Sequence, residues 1–153
     1  MPTTLIRILV PGTSKRFRCG GLSVELQTAR LLSSLCATEL VTYRERHQDH
    51  PFLDDLLNVE PPRPEVLWIV SWGFDVPALV RRLRSHRVAY HAHSSGYGFT
   101  LPPGVPVLAV SRNTLGYWGD RCPRNPLLLV PNAIEPGWLE PVSYTHLRAH
   151  ETT

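Results

Sequence analysis

The feature that most constrains this chain is an alternation. Short apolar runs, rich in β-branched residues and bounded by proline, glycine or polar residues, take turns with stretches of helical periodicity. L-I-R-I-L-V (Leu5 to Val10) stops at Pro11-Gly12 and predicts a buried strand. A basic loop and Cys19-Gly20-Gly21 follow. Then Leu22, Leu26, Ala29, Leu32 and Cys36 recur at helical spacing, with Glu25, Gln27, Arg30 and Ser34 off that stripe, which predicts an amphipathic helix packed on one side. E-L-V-T-Y (Glu39 to Tyr43) and V-L-W-I-V (Val66 to Val70) predict the next two strands, with a short helix between them at Phe52 to Leu57. Asp75 fits an N-cap before a helix whose apolar stripe is Val76, Leu79, Val80 and Leu83, with Pro77 in its first turn. V-A-Y-H-A-H (Val88 to His93), V-P-V-L-A-V (Val105 to Val110) and L-L-L-V (Leu127 to Val130) are the remaining strands. Ser111 caps a short helix over Asn113 to Trp118. Strands alternating with helices predict an α/β fold: a Rossmann-like, doubly wound, mostly parallel sheet.

Composition narrows the classes. At 153 residues and 42% hydrophobic residues, the chain can bury one real core. It has no run of eighteen apolar residues, and its N-terminal apolar run is too short for a signal peptide, so a cytoplasmic protein is expected. Three widely spaced cysteines without a C-x-x-C pair argue for reduced thiols and against a cysteine zinc site. The net charge is +3, and Lys15 is the only lysine. The basic residues are spread, apart from Lys15 to Arg18 and the Arg81 to Arg87 segment, so nucleic acid is not an expected partner.

Ligands of such sheets sit beyond the carboxyl ends of the strands. Attention therefore falls on Arg18 to Gly21, Trp72 to Phe74, His91 to Gly98, Ser111-Arg112 and Asn132. Gly20-Gly21 at a helix start lets backbone approach an anion closely, and Arg18 stands beside it. A plain strand-to-helix turn explains the same pair. His91 and His93 end a strand, and alternation points them to one face. Two histidines can ligate a metal, but the sequence offers no evident third ligand and no D-x-D, so no metal is expected. Ser94 to Gly98 forms a flexible polar loop beside them. Trp68 reads as core and Trp72 as core or cleft wall. Arg81, Arg82, Arg84 and Arg87 read as a solvated helix face, or as contacts for anionic lipid headgroups.

The order of these pieces carries a resemblance. Gly-Gly opens a helix bearing A-R-L-L-S-S-L, a strand ends in V-A-Y-H-A-H, V-L-A-V-S-R follows, and L-L-L-V-P-N-A-I-E closes the series. This resembles the N-terminal domain of retaining, nucleotide-sugar-dependent glycosyltransferases of the two-Rossmann architecture called GT-B. Within that architecture it looks most like the family-four or "group 1" set. Members typically read V-P-N-G-I-D where this chain has Ala133 and Glu135 in V-P-N-A-I-E. The resemblance spans roughly residues 5 to 140.

It implies an acceptor-side domain, 1–140, whose partner domain binds the nucleotide-sugar donor. The acceptor is an unknown glycan or lipid-linked molecule, with peripheral membrane contact as one option. The family binds its donor without a metal, and no cofactor is implied. His93 falls where many relatives carry an active-site histidine, contacting the transferred sugar or positioning the acceptor. His91 would support it. Arg18, Gly20, Gly21 and Ser94 would bind substrate. Asn132 matches the asparagine before the interdomain linker, where a turn role competes.

The resemblance implies a donor half, with basic residues for the diphosphate and a pair of glutamates, expected to lie outside this sequence. The last twelve residues, V-S-Y-T-H-L-R-A-H-E-T-T, place His146 and His150 at metal-ligand spacing on a helix, with Glu151 following. Read back as codons, however, this stretch resembles the end and adapter sequence of transposase-based sequencing libraries. The expectation is a non-native tail at 141–153 and an artificially truncated enzyme, inactive as a fragment. The rivals are a stand-alone α/β binding or regulatory module of response-regulator or flavodoxin type, and half of another GT-B enzyme such as a nucleotide-sugar epimerase.

Overall fold

A computed structural model of the chain describes residues 2–132. Ala133, Glu135, the 140/141 boundary, His146, His150 and the rest of the tail lie outside the described residues. Six strands form one sheet: β1 (Leu5–Val10), β2 (Ala37–Thr42), β3 (Val66–Val70), β4 (Arg87–Ala92), β5 (Val107–Ala109) and β6 (Leu127–Leu129). The helices are α1 (Gly20–Leu32), α2 (Leu53–Val59), α3 (Val76–Arg82) and α4 (Arg112–Arg121), and a single 3-10 turn spans Lys15–Phe17. Every strand pair is parallel and the order is β2-β1-β3-β4-β5-β6, as the alternation predicts. The chain leaves β1 for β2 on one side, then crosses back to β3 on the other. The strand order reverses between β1 and β3, which is where doubly wound sheets open a crevice.

Alternation along the strands feeds two cores. Leu9, Val41, Trp68, Val70, Tyr90 and Val107 face the side packed by α2, α3 and α4. Ile8, Val10 and Ile69 face α1 through Leu22 and Ala29. Each fully buried Val, Leu or Ile of this kind contributes about 1.5–3 kcal/mol relative to leaving it in water. The stripe expected for α3 is buried from Val76 to Leu83.

Three local departures have physical causes. β5 begins at Val107 and not at Val105. The Val105 N–H is spent in a turn to the Pro102 carbonyl, and Pro106 has no N–H to give the ladder. The first helix ends at Leu32, so Cys36 is not on it; the Ser33 hydroxyl turns back to the Ala29 carbonyl at 2.7 Å. Asp75 occupies the N-cap position of α3 without capping it. Its carboxylate accepts instead from the Tyr43 hydroxyl at 2.6 Å and from Arg44 at 2.5 Å, which ties the end of β2 to the start of α3.

Arg7 is the exception inside an apolar strand. It is 4% exposed, and its guanidinium donates to Glu39 at 2.6 Å and to Glu60 at 2.7 Å. It also lies 5.0 Å above the Trp68 ring. A charge is tolerated there because both its donors and its π face are met.

Candidate functional site

A cleft of about 500 Å³ opens at the carboxyl ends of β1, β3 and β4. It brings together Gly20, Gly21, His93, Ser94 and Asn132, all singled out from the sequence. Trp72 forms part of its wall, its ring edge-to-face with Phe17 at 6.4 Å. Trp68 is core. Arg18 is exposed and outside the lining, and His91 is buried behind His93.

The two glycines are informative because nothing in the fold requires them. Neither has a positive φ; among the described residues only Gly96 does, at 98°. A Cβ at Gly20 would meet nothing within 4 Å, and one at Gly21 would make ordinary contacts with Cys19 and His93. What their bareness preserves is open space at the N-terminus of a 13-residue helix. There the first backbone N–H groups lack intrahelical partners and favour an anion. Cys19 is the N-cap, its sulfur accepting weakly from the Leu22 N–H at 3.5 Å.

The chemistry concentrates on one carboxylate. Glu25, on α1, is 1% exposed. Its Oε1 accepts from His91 Nδ1 at 2.6 Å and from His93 Nε2 at 2.5 Å. The imidazole centroids lie 4.3 Å apart, His91 on β4 and His93 one residue past its end, both turned to Glu25 as alternation predicts. Burial alone would push the Glu25 carboxyl upward. The hydrogen bonds from His91 and His93, with their electrostatic interaction, outweigh it, bringing the group from 4.5 to about 2. Its second oxygen, Oε2, is buried without a partner among the described residues.

Sequence reasoning placed Glu25 off the buried stripe. The structure corrects this: the face of α1 turned to the sheet is Leu22, Glu25 and Ala29. That is also helical spacing, and an acid sitting three residues after one apolar anchor and four before the next was the available signal. Glu25 is also the third group missing from the metal argument. The ligand atoms of Glu25, His91 and His93 all lie within 4.8 Å of one another. Two imidazoles and a carboxylate are a donor set zinc accepts.

The segment after His93 was expected to be a flexible loop. Its carbonyls are instead held from α4: Trp118 Nε1 donates to the Ser94 carbonyl at 3.0 Å, Tyr117 to that of Tyr97, and Arg121 to those of Gly98 and, at 3.1 Å, Phe99. The Tyr97 ring packs on Gly73.

A larger hollow, about 850 Å³, lies at the opposite end of the sheet among Leu67, Val80, Leu101 and Leu108, with Arg81, Arg84 and Arg87 at its rim. It is mostly apolar and, unlike the 500 Å³ cleft, does not combine titratable groups, glycine backbone and a helix N-terminus at strand carboxyl ends. The smaller cleft is the better candidate despite its size.

Fold and site together define a class: a doubly wound parallel α/β domain whose cleft, at the strand-order reversal, is backed by a carboxylate holding two histidines. No family model matches the chain, and no curated protein or solved structure matches it significantly.

Proposed function

We propose that the chain is the acceptor-side half of a retaining, nucleotide-sugar-dependent glycosyltransferase. The observation that supports this reading is the meeting of His93, Gly20-Gly21 and Asn132 in one cleft, at the positions the resemblance assigns to substrate. In such an enzyme the bond between the sugar's anomeric carbon and the diphosphate breaks as the acceptor hydroxyl adds, and the hydroxyl proton goes to the leaving diphosphate oxygen. Negative charge gathers on the leaving oxygen while the ring becomes oxocarbenium-like. The N-terminus of α1 and the bare backbone of Gly20-Gly21 would lie toward that charge. His93 would contact the transferred sugar or the acceptor, with Ser94 beside it and His91 behind. Arg18, outside the cleft lining, would act at its mouth. The donor nucleotide would be held by a second domain, so this chain alone should not turn over. No helix among the described residues is long and apolar enough to cross a membrane. Exposed Arg81, Arg84 and Arg87 would meet anionic headgroups if the acceptor is lipid-linked.

The natural downstream sequence, read from an independently obtained copy of the gene, tests the proposal. A second α/β domain with a glutamate pair spaced E-x7-E is expected, and a continuation without one overturns it. With the whole enzyme in hand, His93→Ala should lower transfer at least about a hundredfold while leaving the fold intact.

One observation favours a second reading. The order β2-β1-β3-β4-β5 is also that of flavodoxin-like binding modules, which take their ligand at the same reversal. The loop after β1 carries Lys15, Arg16 and Arg18 and no acid, which suits an anionic ligand and not an acidic phosphoacceptor pocket.

A further inference from the structure

We infer that Glu25 is a positioning residue that fixes which nitrogen His93 offers to the cleft, making it a hydrogen-bond acceptor for a ligand hydroxyl. A carboxylate oxygen can only accept. With Oε1 2.5 Å from His93 Nε2 and 2.6 Å from His91 Nδ1, the neutral rings carry their protons on those atoms. His93 is then the Nε2–H form and His91 the Nδ1–H form. In His93, the Cδ2 edge next to Nε2 lies beside Gly21. Its Nδ1 receives no hydrogen bond from any described residue, and the ring lines the cleft with its side chain 17% exposed. That leaves the lone pair on Nδ1, which no described residue satisfies, as the atom that a ligand hydroxyl would meet. Among hydrogen-bonding groups, O–H and N–H donors satisfy a bare imidazole lone pair, and the neighbouring Ser94 and Asn132 suit a hydroxyl-rich molecule.

His91 takes part in the same arrangement without reaching the cleft. Its own N–H to Oε1 helps keep Glu25 ionised and stationary, so the His93 proton stays on the inner side. A zinc ion is the competing occupant. Zinc bonds of 2.0–2.1 Å at tetrahedral angles keep ligand atoms roughly 3.3 Å apart. The Oε1–nitrogen separations are shorter than that and match protons shared in hydrogen bonds.

Only the identity of the hydroxyl rests on the glycosyl-transfer reading; the tautomers do not. The test is long-range proton–nitrogen NMR of the imidazoles in the 15N-labelled 153-residue chain, at a pH where the rings are neutral. His93 as Nε2–H and His91 as Nδ1–H are expected, the latter being the minor tautomer of free neutral histidine. Glu25→Met, which removes the acceptor at similar volume, should return His91 to Nε2–H. Glu25→Gln, which keeps an acceptor oxygen, should hold the wild-type pattern. Methyl glucoside at millimolar concentration should move the His93 Nδ1 resonance and leave that of His91. The inference is overturned by an Nδ1–H form of His93, or by Glu25→Met leaving both rings unchanged in a folded protein. It is likewise overturned by an unmoved His93 Nδ1 with the glucoside, or by stoichiometric zinc uptake that shifts both rings. If the downstream gene lacks a donor domain but the tautomers are as stated, the enzyme reading fails and this one stands.

Discussion

The Tyr97 ring rests on Gly73 so closely that any Cβ at position 73 would overlap it. The loop after β4 is thus seated on the backbone that leaves β3, and both border the cleft. Gly73→Ala must push the ring away, while Tyr117 and Arg121 hold the loop's carbonyls in place. A loss of about 1–3 kcal/mol in urea unfolding is expected from this overpacking, together with a shifted Tyr97 ring signal in NMR. An unchanged midpoint would show that the ring swings aside freely.

Glu25 makes stability depend on acid. Its folded value, about 2, lies below the ordinary 4.5 because His91 and His93 overcome the cost of burial. A depressed carboxyl stabilises fully above the unfolded value and loses that contribution as pH falls from about 4.5 toward 2. The amount is on the order of 3 kcal/mol. The stability gap between wild type and Glu25→Gln should therefore narrow across that window in urea titrations. A gap independent of pH would contradict the assignment.

Arg7→Ala should cost about 2–4 kcal/mol, and Arg7→Met less because it refills the volume over Trp68. The loss stays below the extreme for a broken buried pair because the Glu39 and Glu60 side chains, 35% and 33% exposed, can turn to water. Added salt should change the difference little, since the guanidinium is buried. A strong salt dependence in denaturation curves would place the interaction at the surface.

Ser111 caps α4, its hydroxyl accepting from the Thr114 N–H at 3.1 Å. Ser111→Ala should lose about 1 kcal/mol, while Ser111→Asp keeps the cap. The amide of Thr114 should exchange faster in the alanine variant. Because α4 carries Tyr117, Trp118 and Arg121, exchange in residues 94–99 should rise with it; unchanged protection there would separate helix from loop.

Much of the fold was readable because its signal is local. β1 and β3 match their predicted bounds, and Ser111 caps its helix as expected. The misreadings arise where a residue answers to a distant partner. Asp75 looks like a cap until Tyr43 and Arg44 arrive from β2. His93, Gly20 and Gly21 could be named from their places after strands, because the carboxyl ends of a parallel sheet converge. Glu25 could not. An acid on a helix reads as solvent-facing by default, and only the fold shows two histidines waiting beneath it.

The separation of 68 positions from Glu25 to His93 also sets a clock. At about 5–20 residues per second, a ribosome makes Glu25 roughly 3 to 14 seconds before the histidine that completes its surroundings. During that interval α1 carries a carboxylate on the face it must bury, with neither imidazole yet made. The helix that opens the cleft can form early, but it settles on the sheet only after β4 emerges. The cleft is therefore among the last parts of this domain to close during synthesis.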